Sequence, residues 1–84
     1  MDYACACCNQ LTRDEPQSNG DYIICHVCFW EDDPIQNTDA YYCGGANVVS
    51  LNEAKENYRK FGASEERFIK YVRKPNILEK NDEE

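Results

Sequence analysis

Four cysteines form two Cys-x-x-Cys motifs, and this is the pattern in the chain best suited to chemistry. The first pair is Cys5 and Cys8, the second is Cys25 and Cys28, and sixteen residues separate the pairs. A Cys-x-x-Cys turn directs two sulfurs at one point, so two such turns can complete a tetrahedral site. We therefore predict that these four cysteines bind one structural Zn²⁺. Four thiolates leave no coordination position for water or substrate.

Disulfides and thiol redox catalysis are the alternatives that six cysteines allow. Three disulfides would suit a secreted protein, but no signal pattern precedes the first motif and Cys7 is adjacent to Cys8. A thioredoxin-like pair requires a βαβ context, which neither motif has. The chain also has no apolar run of about 18 residues that could span a bilayer. We therefore expect a reducing, cytoplasmic location, where metal binding is favoured over disulfides.

Three other residues have side chains that can bind metal or react. Cys7 can replace Cys8, although a Cys-x-Cys spacing chelates less well. His26 is next to Cys25 and can replace one of the thiolates, although its place in the turn directs it away from the metal. Cys43 is interpreted as a buried or half-exposed structural thiol. Residue type alone also leaves open a Cys7–Cys43 disulfide, or a nucleophile pair of a cysteine with His26.

A β-hairpin is predicted between the two motifs. Gln10–Arg13 and Asp21–Ile24 are short runs with strand character, and residues 14–20 contain a proline and an Asn-Gly pair that favour a turn. A two-stranded hairpin is marginally stable in water. Zinc bound at both ends would stabilise it, and Phe29 and Trp30 are predicted to cover the metal site.

A long loop over residues 34–49 is predicted to lead into a C-terminal α-helix. Ser50 and Glu53 form an S-x-x-E capping box, and Gly62 suits the left-handed conformation that ends a helix. The apolar face consists of Leu51, Ala54, Tyr58 and Phe61.

A second C-terminal α-helix is predicted to begin after Ser64 and to end before Pro75. Phe68, Ile69 and Val72 form its apolar face. The predicted fold class is therefore small α+β, with a zinc-ribbon-like β-hairpin, a long loop and two C-terminal α-helices. The predicted domain covers residues 1–76, and residues 77–84 are predicted to be an acidic disordered tail.

Acidic residues are concentrated in the first half of the chain. Residues 1–40 carry eight acidic residues and one basic residue, a net charge of −7, whereas the charges of residues 41–84 balance. A zinc tetrathiolate adds a charge of about −2 to the same half. Such a field repels phosphate and attracts basic protein surfaces. We therefore expect a protein partner with a basic surface, and we interpret Glu31-Asp32-Asp33 as an exposed acidic part of the recognition surface.

Several ordered motifs of the chain resemble the bacterial cysteine-rich CPCC family. These motifs are C-A-C-C at residues 5–8, C-H-V-C-F-W-E-D-D at 25–33, G-G-A-N at 44–47, S-L-N-E-A at 50–54 and N-Y-R-K-F-G-A at 57–63. The resemblance covers residues 3–75. It implies a small metal-binding protein, and some members are similar in setting to immunity proteins of bacterial toxin systems.

The chain departs from the family pattern at three positions in the knuckles, the turns that carry the paired cysteines. Ala6 and His26 stand where the pattern usually has proline, so each knuckle loses some backbone stiffness. Asn9 stands where the pattern often has glycine, and asparagine is a suitable substitute because it tolerates positive φ. The motif at residues 44–47 is either a binding surface or a packing corner.

Protein binding without catalysis is the function that these observations favour. A closed metal site offers no position to a substrate, and the loop acids Asp32, Asp33 and Asp39 accompany no visible nucleophile or phosphate loop. We therefore predict a non-enzymatic zinc protein, with immunity to a bacterial toxin as the sharper hypothesis.

The alternative is a nucleic-acid-binding zinc ribbon that uses its second helix. Arg67, Lys70, Arg73 and Lys74 form a basic stripe, and residues 51–78 carry a net charge of +3. Nucleic-acid-binding domains, however, typically have an isoelectric point above about 9. The isoelectric point of this chain is about 4.6, which favours a protein partner.

Overall fold

Three helices and two isolated β-bridges make up the regular structure of residues 3–14 and 22–81, the residues that this computed structural model describes. Helix α1 spans Pro34–Thr38, helix α2 spans Leu51–Phe61, and a 3₁₀ helix spans Glu66–Tyr71. The buried core lies where α2 packs on the cysteine-bearing turns. Among these helices, α2 is therefore the one that covers the cysteines.

The predicted zinc-ribbon hairpin is not confirmed. Arg13 forms its antiparallel bridge with Tyr3, and Ile24 forms its bridge with Glu31. Each bridge therefore closes around its own Cys-x-x-Cys turn, and no bridge joins the two predicted strands within the described residues. Most of the predicted turn, residues 15–20, lies outside those residues.

Helix α1 lies inside the segment predicted to be a loop. The Asp33 carboxylate caps it, because Oδ1 accepts hydrogen bonds from the backbone N–H groups of Ile35 at 2.8 Å and Gln36 at 3.1 Å. Pro34 occupies the first turn, where a missing N–H costs nothing. The prediction of a loop throughout residues 34–49 was therefore wrong. The sequence does contain a helix start signal at this point, the Asp-Pro pair.

Helix α2 begins and ends where it was predicted to. The Ser50 hydroxyl accepts a hydrogen bond from the Glu53 N–H at 3.1 Å. Gly62 adopts a left-handed φ of 79° and its N–H donates to the carbonyl of Tyr58. Leu51 is buried on this helix. Phe61, the last residue of the predicted apolar face, is 37% exposed, so the buried face is shorter than predicted.

The second C-terminal helix is a 3₁₀ helix rather than the predicted α-helix. Ser64, its predicted cap, is buried, and its backbone N–H donates to the Cys28 carbonyl at 2.7 Å. Residues three apart are eclipsed in a 3₁₀ helix. This geometry places the rings of Phe68 and Tyr71 on the same ring, that of Phe29, with centroid distances of 4.5 and 5.6 Å.

Residues 77–81 differ from the predicted disordered tail. Glu79 is 1% exposed. Its carboxylate accepts two hydrogen bonds from the Arg73 guanidinium, both at 2.7 Å, and its carbonyl accepts the N–H of Leu11 at 2.6 Å. A paired, buried carboxylate explains why this charged segment packs on the domain. Residues 82–84 lie outside the described residues.

A buried glutamine connects α1 to the loop that follows it. The Nε2 group of Gln36 donates to the carbonyls of Tyr42, Asn47 and Val49 at 3.0–3.1 Å. Its Oε1 accepts the backbone N–H of Asn47 at 3.0 Å and the Nδ2 of the same residue at 2.9 Å. Asn47 also bonds both the N–H and the carbonyl of Glu31. The motif at residues 44–47 is therefore a packing corner.

Gly45 makes the close approach within this corner. A Cβ atom at Gly45 would lie 2.7 Å from Asp33 Oδ2 and 3.1 Å from the Gln36 side chain. The same Oδ2 accepts the N–H of Ala46 at 2.9 Å. Burial alone would raise the pKa of Asp33, but hydrogen bonds from the backbone N–H groups of Ala46, Gln36 and Ile35 outweigh it and lower that pKa.

We expect Gln36→Ala to lower the free energy of unfolding by about 3 kcal/mol, because it leaves several buried carbonyl and N–H groups without partners. Chemical denaturation of the metal-loaded protein measures this loss. The control is Asn52→Ala, at an exposed position of α2, which should change stability by less than about 0.5 kcal/mol. Equal midpoints for the two variants would contradict the structural role of Gln36.

Candidate metal centre

The two cysteine motifs form turns with the same backbone hydrogen bonds. In the first knuckle, the N–H of Asn9 donates to the Cys5 carbonyl at 2.9 Å, and in the second the N–H of Phe29 donates to the Cys25 carbonyl at 2.7 Å. The N–H of each first cysteine donates to the carbonyl five residues later, at 2.9 Å in both knuckles. The knuckles are therefore a local repeat with a shift of twenty residues.

Each knuckle ends in a residue with positive φ. Asn9 has a φ of 63°, which confirms the expectation that asparagine can replace glycine there. Phe29 occupies the same place in the second knuckle with a φ of 72°, an unusual conformation for a bulky residue. Its stacking against Phe68 and Tyr71 helps to offset that cost. In the sequence, the one indication of a positive φ at Phe29 is that it follows its cysteine pair at the same place as Asn9.

The knuckles bring the four predicted ligands into one group. The Sγ atoms of Cys5, Cys8, Cys25 and Cys28 all lie within 4.8 Å of one another. The Cys5–Cys28 distance is 3.6 Å and the Cys8–Cys25 distance is 3.9 Å. A tetrahedral ion with metal–sulfur bonds of about 2.3 Å requires sulfurs about 3.8 Å apart. The group therefore fits one metal ion bound by four thiolates.

The surroundings of Cys25 and Cys28 shift the pKa values of these two thiols in opposite directions. The pKa of Cys25 is lowered, first by its hydrogen bond with Cys28 and then by those with Cys5 and Cys8. The Thr12 hydroxyl, 3.3 Å from the sulfur of Cys25, acts in the same direction. Desolvation raises the pKa of Cys28. A bound cation would offset the cost of ionising a buried thiol, because a metal stabilises every coordinating thiolate.

The three other candidate residues lie outside the group. His26 is exposed, and the sulfur group includes no atom from it. Cys43 is also exposed, which corrects its interpretation as a buried or half-exposed thiol. Cys7 is buried beside the four grouped cysteines without belonging to the group. All six cysteines are free, so the structure contains no Cys7–Cys43 disulfide.

Trp30 and α2 enclose the four-cysteine group. Trp30 is buried and its indole Nε1 donates to Asn37 Oδ1 at 3.0 Å. On α2, Ala54 is buried and Tyr58 packs against the cysteine-containing core. Burial raises the pKa of Tyr58 to about 12. The prediction that the aromatic pair covers the site holds fully for Trp30, while Phe29 is half-buried.

Two of the three acids after the second knuckle, Asp32 and Asp33, are buried, contrary to the interpretation of the run as an exposed recognition surface, whereas Glu31 is half-buried. Asp32 is 2% exposed and Asp33 is 5% exposed. Asp32 Oδ2 pairs with the buried guanidinium of Arg13 at 3.3 Å, and its Oδ1 accepts a hydrogen bond from Asn37. Asp33 caps α1. These two carboxylates therefore connect the chain after the second knuckle to Arg13 and to α1, a role that sequence reasoning missed.

A C-terminal clasp, residues 79–81, binds the first knuckle. The Asn81 side chain donates to the carbonyl of Asn9 at 2.9 Å, and its backbone N–H donates to Gln10 Oε1 at 3.2 Å. Glu79 is bound to Arg73, and this hydrogen bond lowers the pKa of Glu79 to about 2. The clasp therefore supports the knuckle from outside.

The fold and the sulfur group define a small protein built around a four-cysteine site that can hold a metal ion. The family model for Cysteine-rich CPCC proteins matches residues 3–79. The chain therefore belongs to the cysteine-rich CPCC family. A search of curated proteins finds no match. Within the described residues, none of the helices has the length and apolar character needed to cross a bilayer.

Serine substitutions should separate the ligands from the other buried thiol. We expect Cys8→Ser to weaken Zn²⁺ binding by more than about 100-fold, since losing a group that only supports a ligand already costs about 10- to 100-fold. Cys7→Ser and Cys43→Ser should keep one zinc with near-normal affinity. Competition with a chromogenic chelator measures all three. Loss of zinc by Cys7→Ser alone would show that Cys7 takes the place of Cys8.

Glu79→Gln should weaken the clasp. The change removes a buried ionic partner of Arg73, so we expect it to lower the free energy of unfolding at pH 7 by about 2 kcal/mol. Glu56→Gln is the control, because Glu56 forms only an exposed pair with Arg59 at 3.5 Å. Thermal unfolding of both zinc-loaded variants gives the comparison. Matching midpoints would mean that residues 79–81 do not stabilise the knuckle.

Proposed function

We propose that this chain is a non-enzymatic zinc protein that acts by binding a protein partner. The observation that carries the proposal is the closed group of four buried thiols. Four thiolates satisfy a tetrahedral ion completely, so the proposed zinc stabilises the fold and does not activate water or substrate.

Zinc is the metal proposed for this site because its role here is structural. Zn²⁺ has no redox chemistry and accepts four thiolates in a tetrahedral arrangement. The described residues contain little regular structure. Small chains usually need a metal or a disulfide to stabilise a limited core. Since the cysteines are free, a metal is the cross-link that the chain offers.

Charge supports a protein partner with a basic surface. The whole chain has a formal net charge of −7, and a zinc tetrathiolate would contribute about −2 more. A negative field of this kind accelerates association with positively charged proteins. The sharper form of the proposal is an immunity role, in which the partner is a toxin with a basic surface. Its support is the charge and the resemblance described above.

The nucleic-acid alternative loses two of its four cations to internal ion pairs. Arg67 pairs with Glu65 at 2.8 Å, and Arg73 pairs with the buried carboxylate of Glu79 at 2.7 Å. Paired guanidinium groups contribute less to a phosphate contact, because the carboxylate competes for the same donors. The basic stripe therefore provides weaker support than its sequence pattern indicates.

Metal removal tests the structural half of the proposal. Native mass spectrometry should find one Zn²⁺ per chain, and a strong chelator should remove it together with the helical circular dichroism signal, because metal-binding energy is folding energy in such domains. Readdition of Zn²⁺ should restore the signal. A chelated protein that keeps its helical signal, or one that carries iron, would contradict this half.

Reconstitution tests the partner-binding half. Tagged zinc-loaded protein should recover a partner from its source cells, and the two purified proteins should form a complex of defined stoichiometry. Cys8→Ser protein serves as the metal-free control. For the immunity form, coexpression should protect cells from toxicity of the partner. Binding of random-sequence oligonucleotides at physiological salt, with no protein complex, would favour the alternative.

A further inference from the structure

Two adjoining clefts lie on the surface formed by α2, the 3₁₀ helix and the second knuckle. The larger, of about 590 Å³, lies between the two helices and is lined in part by Glu53, Phe61 and Glu66. The smaller, of about 50 Å³, is lined in part by Ile24, Phe29, Glu31, Val48 and Phe68. Glu65 and Arg67 line both clefts. Glu65 and Arg67 therefore form a wall that the two clefts share, and the two clefts together are here named the Glu65–Arg67 groove.

The shared wall of the groove is a built feature. Arg67 Nε bonds Glu65 Oε1 at 2.8 Å, and the guanidinium carbon lies 4.5 Å from the centroid of the Phe68 ring. The ring of Phe68 is itself in contact with Phe29. An ion pair that also stacks on an aromatic ring keeps a defined position better than a free side chain. These two contacts therefore orient the Arg67 side chain, although it is 61% exposed.

The floor of the groove contains apolar side chains that remain accessible. Val48 is 63% exposed, Ile24 is 38% exposed and Phe61 is 37% exposed. Apolar surface of this kind, surrounded by charged groups, is typical of protein-binding sites. An apolar side chain of a partner could therefore be buried there.

The rim of the groove is acidic. Glu53 and Glu66 line the larger cleft and Glu31 lines the smaller one. None of these three carboxylates forms an ion pair with another described residue, whereas Glu65 and Arg67 neutralise each other. The rim therefore presents three uncompensated negative charges around an apolar floor.

We propose that the Glu65–Arg67 groove docks a partner segment in which lysine or arginine residues flank an apolar side chain. This inference rests on the proposed protein-binding function and assigns its surface and the chemistry of its partner. The apolar side chain enters the floor, and the cations pair with the rim. Such pairing orients the segment and selects against acidic competitors.

Charge disfavours two other occupants of the groove. A nucleic acid would place phosphates beside three uncompensated carboxylates, which repel them. A second copy of this chain carries the same net charge of −7, so self-association at an acidic rim is also disfavoured. A basic segment of a different protein is the occupant that satisfies both the rim and the floor.

Selection from a random peptide library displayed on phage tests this proposal without assuming a sequence. Immobilised zinc-loaded protein is the target, and synthetic copies of enriched peptides are titrated into isotope-labelled protein by NMR. We expect enriched peptides to carry lysine or arginine beside a large apolar residue. Their chemical-shift changes should centre on the groove residues of α2 and the 3₁₀ helix.

Matched charge reversals on one helix locate the binding surface. Glu53→Lys places a cation at the rim, whereas Glu56→Lys makes the same change three residues away at a position outside the lining of the groove. We expect Glu53→Lys to weaken binding of the selected peptides by at least about tenfold, because like charges in an interface are strongly unfavourable. Glu56→Lys should weaken it by less than about threefold. Zinc content and NMR dispersion establish that both variants are folded.

The outcomes separate failure of the groove from failure of the proposed function. Peptides that bind but shift resonances elsewhere, or that respond equally to both reversals, would overturn the groove while protein binding stood. Enriched peptides without basic residues would overturn the proposed partner chemistry. A selection that yields no binding peptide would overturn the groove as a peptide-docking site, and the protein-binding function would then be decided by the reconstitution test above.

Discussion

The convergence of four thiols on one point is the constraint on which the rest of the structure depends. It brings two similar knuckles together although the described residues contain no β-sheet to align them. Most of the buried core consists of the knuckles and the residues that pack directly on them, with α2 as the main covering element. Without a cation, the thiols would be a costly group to enclose, because burial opposes the charged form of most of them. With a bound cation, the four thiols would supply stability that a larger apolar core would otherwise have to provide.

Buried polar groups then determine how the loops attach to this centre. Gln36 and Asn47 fasten one corner, Asp32 and Arg13 connect the two knuckles, and Glu79 holds the C-terminal clasp. In a domain with little regular structure, backbone groups that lack a helix or sheet partner must be satisfied by side chains. This need explains why charged and amide residues are buried here while several large apolar residues remain exposed. The exposed apolar residues are then available for recognition.

Local features were predictable from the sequence, and long-range ones were not. The Ser50 cap, the Gly62 stop and the left-handed Asn9 each depend on neighbours within a few residues, so the pattern was sufficient to predict them. The convergence of the four sulfurs was likewise predictable, because the spacing of the two Cys-x-x-Cys motifs is visible in the sequence. Burial of Asp32 depends on Arg13, 19 residues earlier in the chain, so its polarity alone suggested exposure. The 3₁₀ helix formed because ring contacts with Phe29 outweighed the α-helical pattern.

The hydrogen bond between Asn81 and Asn9 joins residues 72 positions apart, and this has a consequence for biosynthesis. During translation both cysteine pairs leave the ribosome long before residue 81 does, so metal capture can precede completion of the fold. The first knuckle would therefore keep its outer side open to solvent until residue 81 has emerged, and its contact with Asn81 would be among the last of the fold to form.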